Sequence, residues 1–309
     1  MSASTTAEVL VTGAAGYLGR ALIDGLLAAG LSVRALARRT ETPRDPRLTW
    51  VEGDLRDPEF DYDALLAGVR IAYHLAWSNV PYSANLDPVA DVMDNVAPTM
   101  RLAEGAARVG ARLVFTSSGG TVYGRLERTQ ADEDHPTRPI SFYGMSKLAA
   151  EQYLRLYAEL RGLDLTILRI ANVYGPGQAS GRNFGALATF AERAIRGEEI
   201  VIWGDGEVVR DYVYVTDVVA ALVASGNSVV SGRVFNVGSG QGQSLNQILE
   251  ALAPITPPLK VRREAARDYD VPTSLLEIGR ARDEIGWAPA VEFGEGIART
   301  VRAWKALQP

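Results

Sequence analysis

Cysteine is absent from this chain of 309 residues, and histidine occurs only at His74 and His135. The first absence excludes disulfides, thiolate nucleophiles and zinc–thiolate sites, and the second argues against a histidine-built centre, so no metal is expected. A dense basic run is missing as well: 32 Lys and Arg stand against 37 Asp and Glu, a formal charge of −5, which argues against nucleic acid as a partner. No apolar stretch reaches membrane length, and the first residues are small and polar rather than basic then apolar. The expectation is a soluble, cytoplasmic protein with neither a span nor a signal peptide. What is present is 47% hydrophobic content, enough for one large or two intimately joined α/β domains with a substantial core.

Near the start, Val9-Leu10-Val11-Thr12 reads as a short apolar strand, and Gly13-Ala14-Ala15-Gly16-Tyr17-Leu18-Gly19 follows with glycines three apart. Leu22, Ile23, Leu26 and Leu27 then recur with helical spacing. In that order the glycines have separate tasks. Gly13 permits a tight turn, Gly16 a close approach of backbone to a pyrophosphate, and Gly19 close packing of helix on strand, with the phosphates at the helix N-terminus. Strand candidates at 8–12, 32–36, 48–51, 71–75, 112–116 and 164–170 alternate with helix candidates at 17–29, 61–67, 88–109 and 142–161. Such alternation predicts a doubly wound parallel α/β sheet of the Rossmann kind, with ligands at the carboxyl ends of its strands. After residue 172 turn signals at Gly175-Pro176-Gly177 and Gly204-Asp205-Gly206 break the pattern, which predicts a smaller interleaved lobe. The expected partition is a dinucleotide-binding domain of 1–172 with a returning segment at about 207–240, and a substrate lobe of 173–206 and 241–309.

The end of the second strand bears on the cofactor. A carboxylate there accepts ribose hydroxyls in NAD sites, whereas arginine suits the 2′-phosphate of NADP. Here the strand ends in Ala37-Arg38-Arg39, which favours NADP(H) and leaves NAD possible. Beyond the third strand, Asp54 is placed to reach the adenine amino group and Leu55 to cover the ring. Farther along, Tyr143 and Lys147 lie four residues apart and share a helix face. A cation beside the phenol is expected to lower a tyrosine pKa that starts near ~10, making the pair a proton-transfer device for carbinol–ketone chemistry.

Together these residues resemble the extended short-chain dehydrogenase/reductase family, especially the nucleotide-sugar branch that includes the UDP-galactose 4-epimerases. The resemblance covers nearly the whole chain. It runs through Thr12 to Gly19, Asp54-Leu55, His74-Leu75-Ala76, Asn95, Ser117-Ser118-Gly119-Gly120-Thr121-Val122-Tyr123-Gly124 and Tyr143-x-x-x-Lys147. It continues through Leu168 to Pro176, Gly204-Asp205-Gly206, Arg210-Asp211-Tyr212-Val213, Arg267 to Val271 and Ile285-Gly286-Trp287. The resemblance implies that Tyr143 is the acid/base, that Lys147 orients the ribose and tunes Tyr143, and that Ser118 hydrogen-bonds the reacting oxygen. Ser118 is preferred to Ser117 because it lies 25 residues before Tyr143, the family's usual interval. Tyr17, Leu18, Leu75 and Ala76 are implied to join Gly13, Gly16, Gly19, Arg38, Arg39, Asp54, Leu55 and Lys147 around the cofactor. Asn172, Asn183, Arg210 and Arg267, with Ser118, are implied to hold a nucleoside-diphosphate sugar, the arginines as forks for its phosphates. Helices 88–109 and 142–161 correspond to those through which family members pair, so a homodimer is expected.

Dehydratases of the family carry an acidic pair directly after the catalytic hydroxyl residue, where this chain has Gly119-Gly120, so elimination is not expected. Two reactions at sugar C4 remain: reduction of a 4-keto sugar by NADPH, placed slightly ahead because of Arg38 and Arg39, and 4-epimerisation through a transient ketone with bound NAD. A non-catalytic dinucleotide sensor is the third reading, disfavoured because the Tyr-x-x-x-Lys pair is intact.

Overall fold

The computed structural model describes residues 9–178, 185–266 and 271–307. Seven strands form a wholly parallel sheet: β1 (Val9–Thr12), β2 (Val33–Ala37), β3 (Leu48–Glu52), β4 (Ile71–His74), β5 (Arg112–Ser118), β6 (Leu165–Ile170) and β10 (Arg233–Val237). Their spatial order is β10-β6-β5-β4-β1-β2-β3. A parallel sheet needs cover on both faces, so its inner strands are apolar almost throughout, and every residue of β1 and of β6 is buried. Side chains alternate between the two layers. Val9 and Val11 pack with Leu22, Ile23 and Leu26 of helix Tyr17–Ala28 and with Val218 and Leu222 of helix Val215–Asn227. Leu10, on the other face, joins Leu65, Leu102, Ala106, Ala150 and Leu154 from helices Tyr62–Leu66, Ala97–Val109 and Phe142–Arg161.

The six strand candidates all correspond to strands of this sheet, with ends shifted by at most a few residues. The expected helix 88–109 is different. It divides into an α-turn, Pro88–Asp91, a π-helical turn, Val92–Val96, and helix Ala97–Val109. The cause is Pro98, which has no N–H to donate and whose ring would strike the carbonyl four residues back in a continuous α-helix. Widening the turn, so that the Ala97 amide bonds to the Val92 carbonyl, absorbs the conflict. The result places Asp91 and Asn95 inside the protein, 0% and 3% exposed.

Of the segment 207–240, helix Val215–Asn227 and β10 rejoin the central layers, β10 pairing with β6. A smaller sheet is built around β9 (Val209–Tyr214), which pairs with β7 (Asn172–Tyr174), β11 (Gly242–Ser244) and β13 (Thr273–Ser274). β8 (Glu199–Trp203) pairs with β12 (Lys260–Glu264). Tyr174, Phe190, Ile202, Tyr212, Ile248 and Ile297 share the apolar cluster beneath. No helix among the described residues is long and apolar enough to cross a membrane.

Candidate active site

β1 and β4 are neighbours, but β1 leads on to β2 on one side and β4 to β5 on the other, the point where an open α/β sheet leaves a crevice at its carboxyl edge. A cavity of about 280 Å³ lies there. Gly13 has φ +67° and comes so close to β4's exit that a Cβ would stand 2.8 Å from the Ala76 nitrogen. Gly19 has no room for a Cβ against the backbone of Gly13 and Ala14. Gly16 caps helix Tyr17–Ala28 without a side-chain acceptor and lines the cavity, leaving amide donors of the first turn for a ligand. This cradle, which a Cβ would fill, fits a dinucleotide pyrophosphate.

Leu75, Ala76, Arg38, Asp54 and Leu55 line the same cavity. Arg39 does not, and is exposed. Tyr17 and Leu18 also lie outside it, packed toward the smaller lobe, and the Tyr17 hydroxyl is buried without a partner. Asp54 is occupied by a residue the sequence reading missed: Arg56 Nη2 reaches its carboxylate at 2.6 Å, Nη1 also approaches Asp94 at 3.3 Å, and the residue lines the cavity. Its hydrogen bonds hold the Asp54 carboxyl below the usual range. The signal was present as Asp54-Leu55-Arg56, a side-chain pair two residues apart across a turn.

In the cavity wall, His74 joins strand ends to a helix. Thr12 Oγ1 accepts the Ala76 amide at 3.2 Å and meets His74 Nδ1 at 2.8 Å. On the other side His74 Nε2 meets Thr99 Oγ1 at 2.8 Å, and Thr99 donates onward to the Asn95 carbonyl at 2.7 Å. Because the Thr99 proton is committed, Nε2 carries the imidazole proton and Thr12 donates to Nδ1. Burial, with the Lys147 charge adding, pushes the His74 pKa down to about 3, so it is a neutral structural link.

Helix Phe142–Arg161 starts at Ser141, whose Oγ accepts the Gly144 amide at 3.1 Å, and carries Tyr143 and Lys147 on one face. Lys147 is 4% exposed. It donates to the Thr116 carbonyl at 2.8 Å, and its Nζ sits 3.7 Å above the centre of the Trp77 ring. Burial lowers its pKa to about 7 against the opposing charges of Glu151 and Asp91. Tyr143 is half-buried. Its pKa is raised, by desolvation first and then by the Asp91 charge. The expectation that Lys147 lowers it is corrected: the ammonium is held by a carbonyl and an indole face, and desolvation outweighs any help to the phenolate.

Ser118 ends β5, half-buried, with its hydroxyl unengaged among the described residues. Ser117 instead donates to Glu151 Oε1 at 2.5 Å. A second hydroxyl nearby was missed: Thr121 Oγ1 is buried without a partner, and the Thr121 carbonyl stands 2.8 Å from where a Cβ on Gly144 would lie. In the smaller sheet, Asn172 Nδ2 donates to the Asp211 carbonyl at 3.0 Å. Arg210 Nη1 donates to the carbonyls of Val209 and Val271 at 2.8 and 2.7 Å. Neither Asn172 nor Arg210 lines the cavity. Asn183 and Arg267 lie outside the described residues.

A doubly wound sheet with this glycine turn and this crevice defines the class of dinucleotide-binding α/β proteins. Residues 9–238 match the NAD dependent epimerase/dehydratase family, and the chain belongs to that family of enzymes. A UDP-glucose 4-epimerase of Mycolicibacterium smegmatis is 39% identical over 310 residues, covering 96% of this chain and 98% of the relative. A dTDP-4-dehydro-6-deoxyglucose reductase of Escherichia coli is 29% identical over 312 residues, covering 96% of each. Among solved structures, the UDP-glucose 4-epimerase of Thermus thermophilus in complex with NAD superposes with a TM-score of 0.87 at 35% identity, over 96% of this chain and 98% of the other.

Proposed function

We propose that this protein is a nucleoside-diphosphate-hexose 4-epimerase working with bound NAD. The observation that carries the reading is Tyr143 and Lys147 on one helix face beside Trp77, which itself lines the dinucleotide cavity. The relatives shift the balance from reduction, which Arg38 and Arg39 had placed first, to epimerisation. Arg39 stands outside the cavity, so the arginine support for NADP is half of what the sequence suggested.

In this reading Gly13, Gly16, Leu75, Ala76, Asp54, Leu55 and Lys147 hold the dinucleotide, which supplies a hydride acceptor and donor when bound. Tyr143 takes the proton of the sugar C4 hydroxyl as the ketone forms and returns it to that oxygen as the ketone is reduced. Ser118 hydrogen-bonds the reacting oxygen. Lys147 orients the ribose. Asn172 and Arg210 of the smaller sheet, with Asn183 and Arg267, hold the sugar and its diphosphate between a substrate lobe of 173–206 and 241–309 and a dinucleotide domain of 1–172 and 207–240. The enzyme works as a homodimer in the cytoplasm, its pairing supported by exposed Met93, Met145, Tyr153, Leu156 and Leu160 on helices of one layer.

A second reading, reduction of a nucleoside-diphosphate 4-keto-hexose by NADPH, is favoured by Arg38 in the cavity wall and by Ala37 in place of a ribose-binding carboxylate. Incubation of the enzyme with NAD and UDP-glucose or UDP-galactose, followed by chromatography, separates the two. Interconversion of the hexoses without net change in cofactor is expected; no interconversion, together with NADPH consumed in proportion to an added 4-keto sugar, overturns the epimerase reading.

A further inference from the structure

Trp77 has a place that no spacing in the sequence announced. It follows the end of β4, lines the dinucleotide cavity with one side, and presents its ring face to Lys147 Nζ at 3.7 Å. Its ring also meets Tyr143 edge-on, with centres 6.3 Å apart, and packs near Phe115 at 6.1 Å. Neither Tyr143 nor Lys147 lines the cavity. The indole therefore stands between the cavity and the proton-transfer pair. Its Nε1 is buried with no hydrogen-bond partner, although buried N–H groups are ordinarily paired. A side chain that strands its only donor while covering a cation has contacts to gain in another rotamer.

We propose that Trp77 is a positioning residue for the cofactor: in the free enzyme its indole fills the room between cavity and Lys147, and it turns aside as the nicotinamide half of the dinucleotide enters. The ring face holds the ammonium in place until ribose hydroxyls take it over. The turn unpacks one side of Tyr143 and opens the phenol to the sugar. This rests on the reading above in which Lys147 orients the ribose.

The test is titration of the enzyme with oxidised NAD, which does not emit, followed by tryptophan emission and, in parallel, by calorimetry. Trp50, Trp203, Trp287 and Trp304 do not line the cavity, so the wild-type emission change is expected to come from Trp77. Trp77→Phe keeps an aromatic face and is expected to bind NAD with the change abolished. Trp77→Ala removes the attraction that must be broken, and is expected to bind NAD roughly 2- to 30-fold more tightly. An emission change that persists undiminished in Trp77→Phe, or weaker calorimetric binding by a folded Trp77→Ala, overturns the proposal. Should the alanine variant not fold, the wild-type and phenylalanine titrations decide alone. NAD binding with no emission change overturns this proposal and spares the function. Failure of the wild type to bind NAD or NADP overturns both.

Discussion

Replacing Lys147 with methionine should make the protein more stable at neutral pH and leave that advantage to disappear in alkali. The ammonium is 4% exposed, and desolvation draws its pKa from 10.5 to about 7. In the unfolded chain it titrates at the ordinary value. Between those two limits the unfolded state binds more protons than the folded one, so stability rises with pH across the window. Below it both states are charged and the folded protein bears the whole desolvation penalty; above it both are neutral and the penalty is gone. At about 1.4 kcal/mol per pH unit the window amounts to about 5 kcal/mol. The attraction of Nζ to the Trp77 face acts against this by about 0.5–2 kcal/mol, leaving about 3–4. Methionine forfeits the hydrogen bond to the Thr116 carbonyl, worth about 1 kcal/mol at every pH. The net expectation is a variant more stable by about 2–3 kcal/mol near pH 7, level with or slightly below the wild type near pH 10. Urea unfolding of both proteins, followed by circular dichroism at a series of pH values, measures it. Taking the difference between the proteins cancels the other titrating groups. A difference that does not change with pH would falsify the reasoning, since it would mean that burial does not disfavour this charge.

Tyr143→Phe keeps the ring and removes the ionisable oxygen, so turnover should fall by ~10²–10⁴-fold while NAD affinity measured by calorimetry stays put; near wild-type turnover rules Tyr143 out as acid/base. Arg38→Ala should weaken NADP binding by about 1.5–3 kcal/mol if Arg38 meets the 2′-phosphate, and Arg39→Ala should change neither cofactor, in titrations at fixed ionic strength. Tighter binding of NAD than of NADP by the parent would remove the reductase's main support. Glu151→Ala leaves the Arg169 guanidinium, 2% exposed and 2.7 Å from its partner, uncompensated, and should cost about 3–5 kcal/mol in urea unfolding; a loss under about 1 kcal/mol would contradict it. Leu156→Arg with Leu160→Arg places charges on the exposed apolar face of helix Phe142–Arg161, and light scattering should report a monomer where the parent is a dimer; a monomeric parent refutes the pairing.

The layered fold was readable because its signals are local. Val9-Leu10-Val11 before Gly13, and the period of Leu22, Ile23, Leu26 and Leu27, each need only neighbours in sequence to make sense. β10 was not assigned as a strand: Val234-Phe235-Asn236-Val237 is short, and what makes it the seventh strand is pairing with β6, more than sixty residues earlier. The π-turn at Val92–Val96 follows from a visible residue, Pro98, yet an apolar helical pattern on both sides hides a one-residue widening. In the site, the glycines were legible because a missing Cβ is a backbone requirement: neither Gly13 nor Gly19 has room for one. Arg38 and Arg39 did not separate, because sequence placed both at a strand tip without saying which faces inward. Spacing put Tyr143 and Lys147 on one face, but their titration depends on how deeply that face is buried, a property of what packs over it.

The surroundings of helix Phe142–Arg161 divide into a satisfied side and an unsatisfied one. Glu151, one turn beyond Lys147, accepts from Ser117 and from Arg169, and Arg169 donates on to the Tyr123 hydroxyl at 3.0 Å. Tyr123 in turn donates to Asn236 Oδ1 at 2.7 Å, which ties the helix through β5 and β6 to β10. Every link in that chain is buried and paired, so it fixes the helix without leaving polar groups in need of water. Toward the N-terminal end of the same helix the opposite holds. Trp77 Nε1, Thr121 Oγ1 and Asp91 Oδ2 are all buried and without partners, Asp91 lying close enough to raise the pKa of Tyr143. Unmet polar groups of this kind lower stability by roughly 1–3 kcal/mol each, and three of the seven found among the described residues lie around Tyr143 and Lys147. A rigid anchor behind Lys147 and stranded donors and acceptors around Tyr143 are what a site requires when its last hydrogen bonds are made by cofactor and sugar.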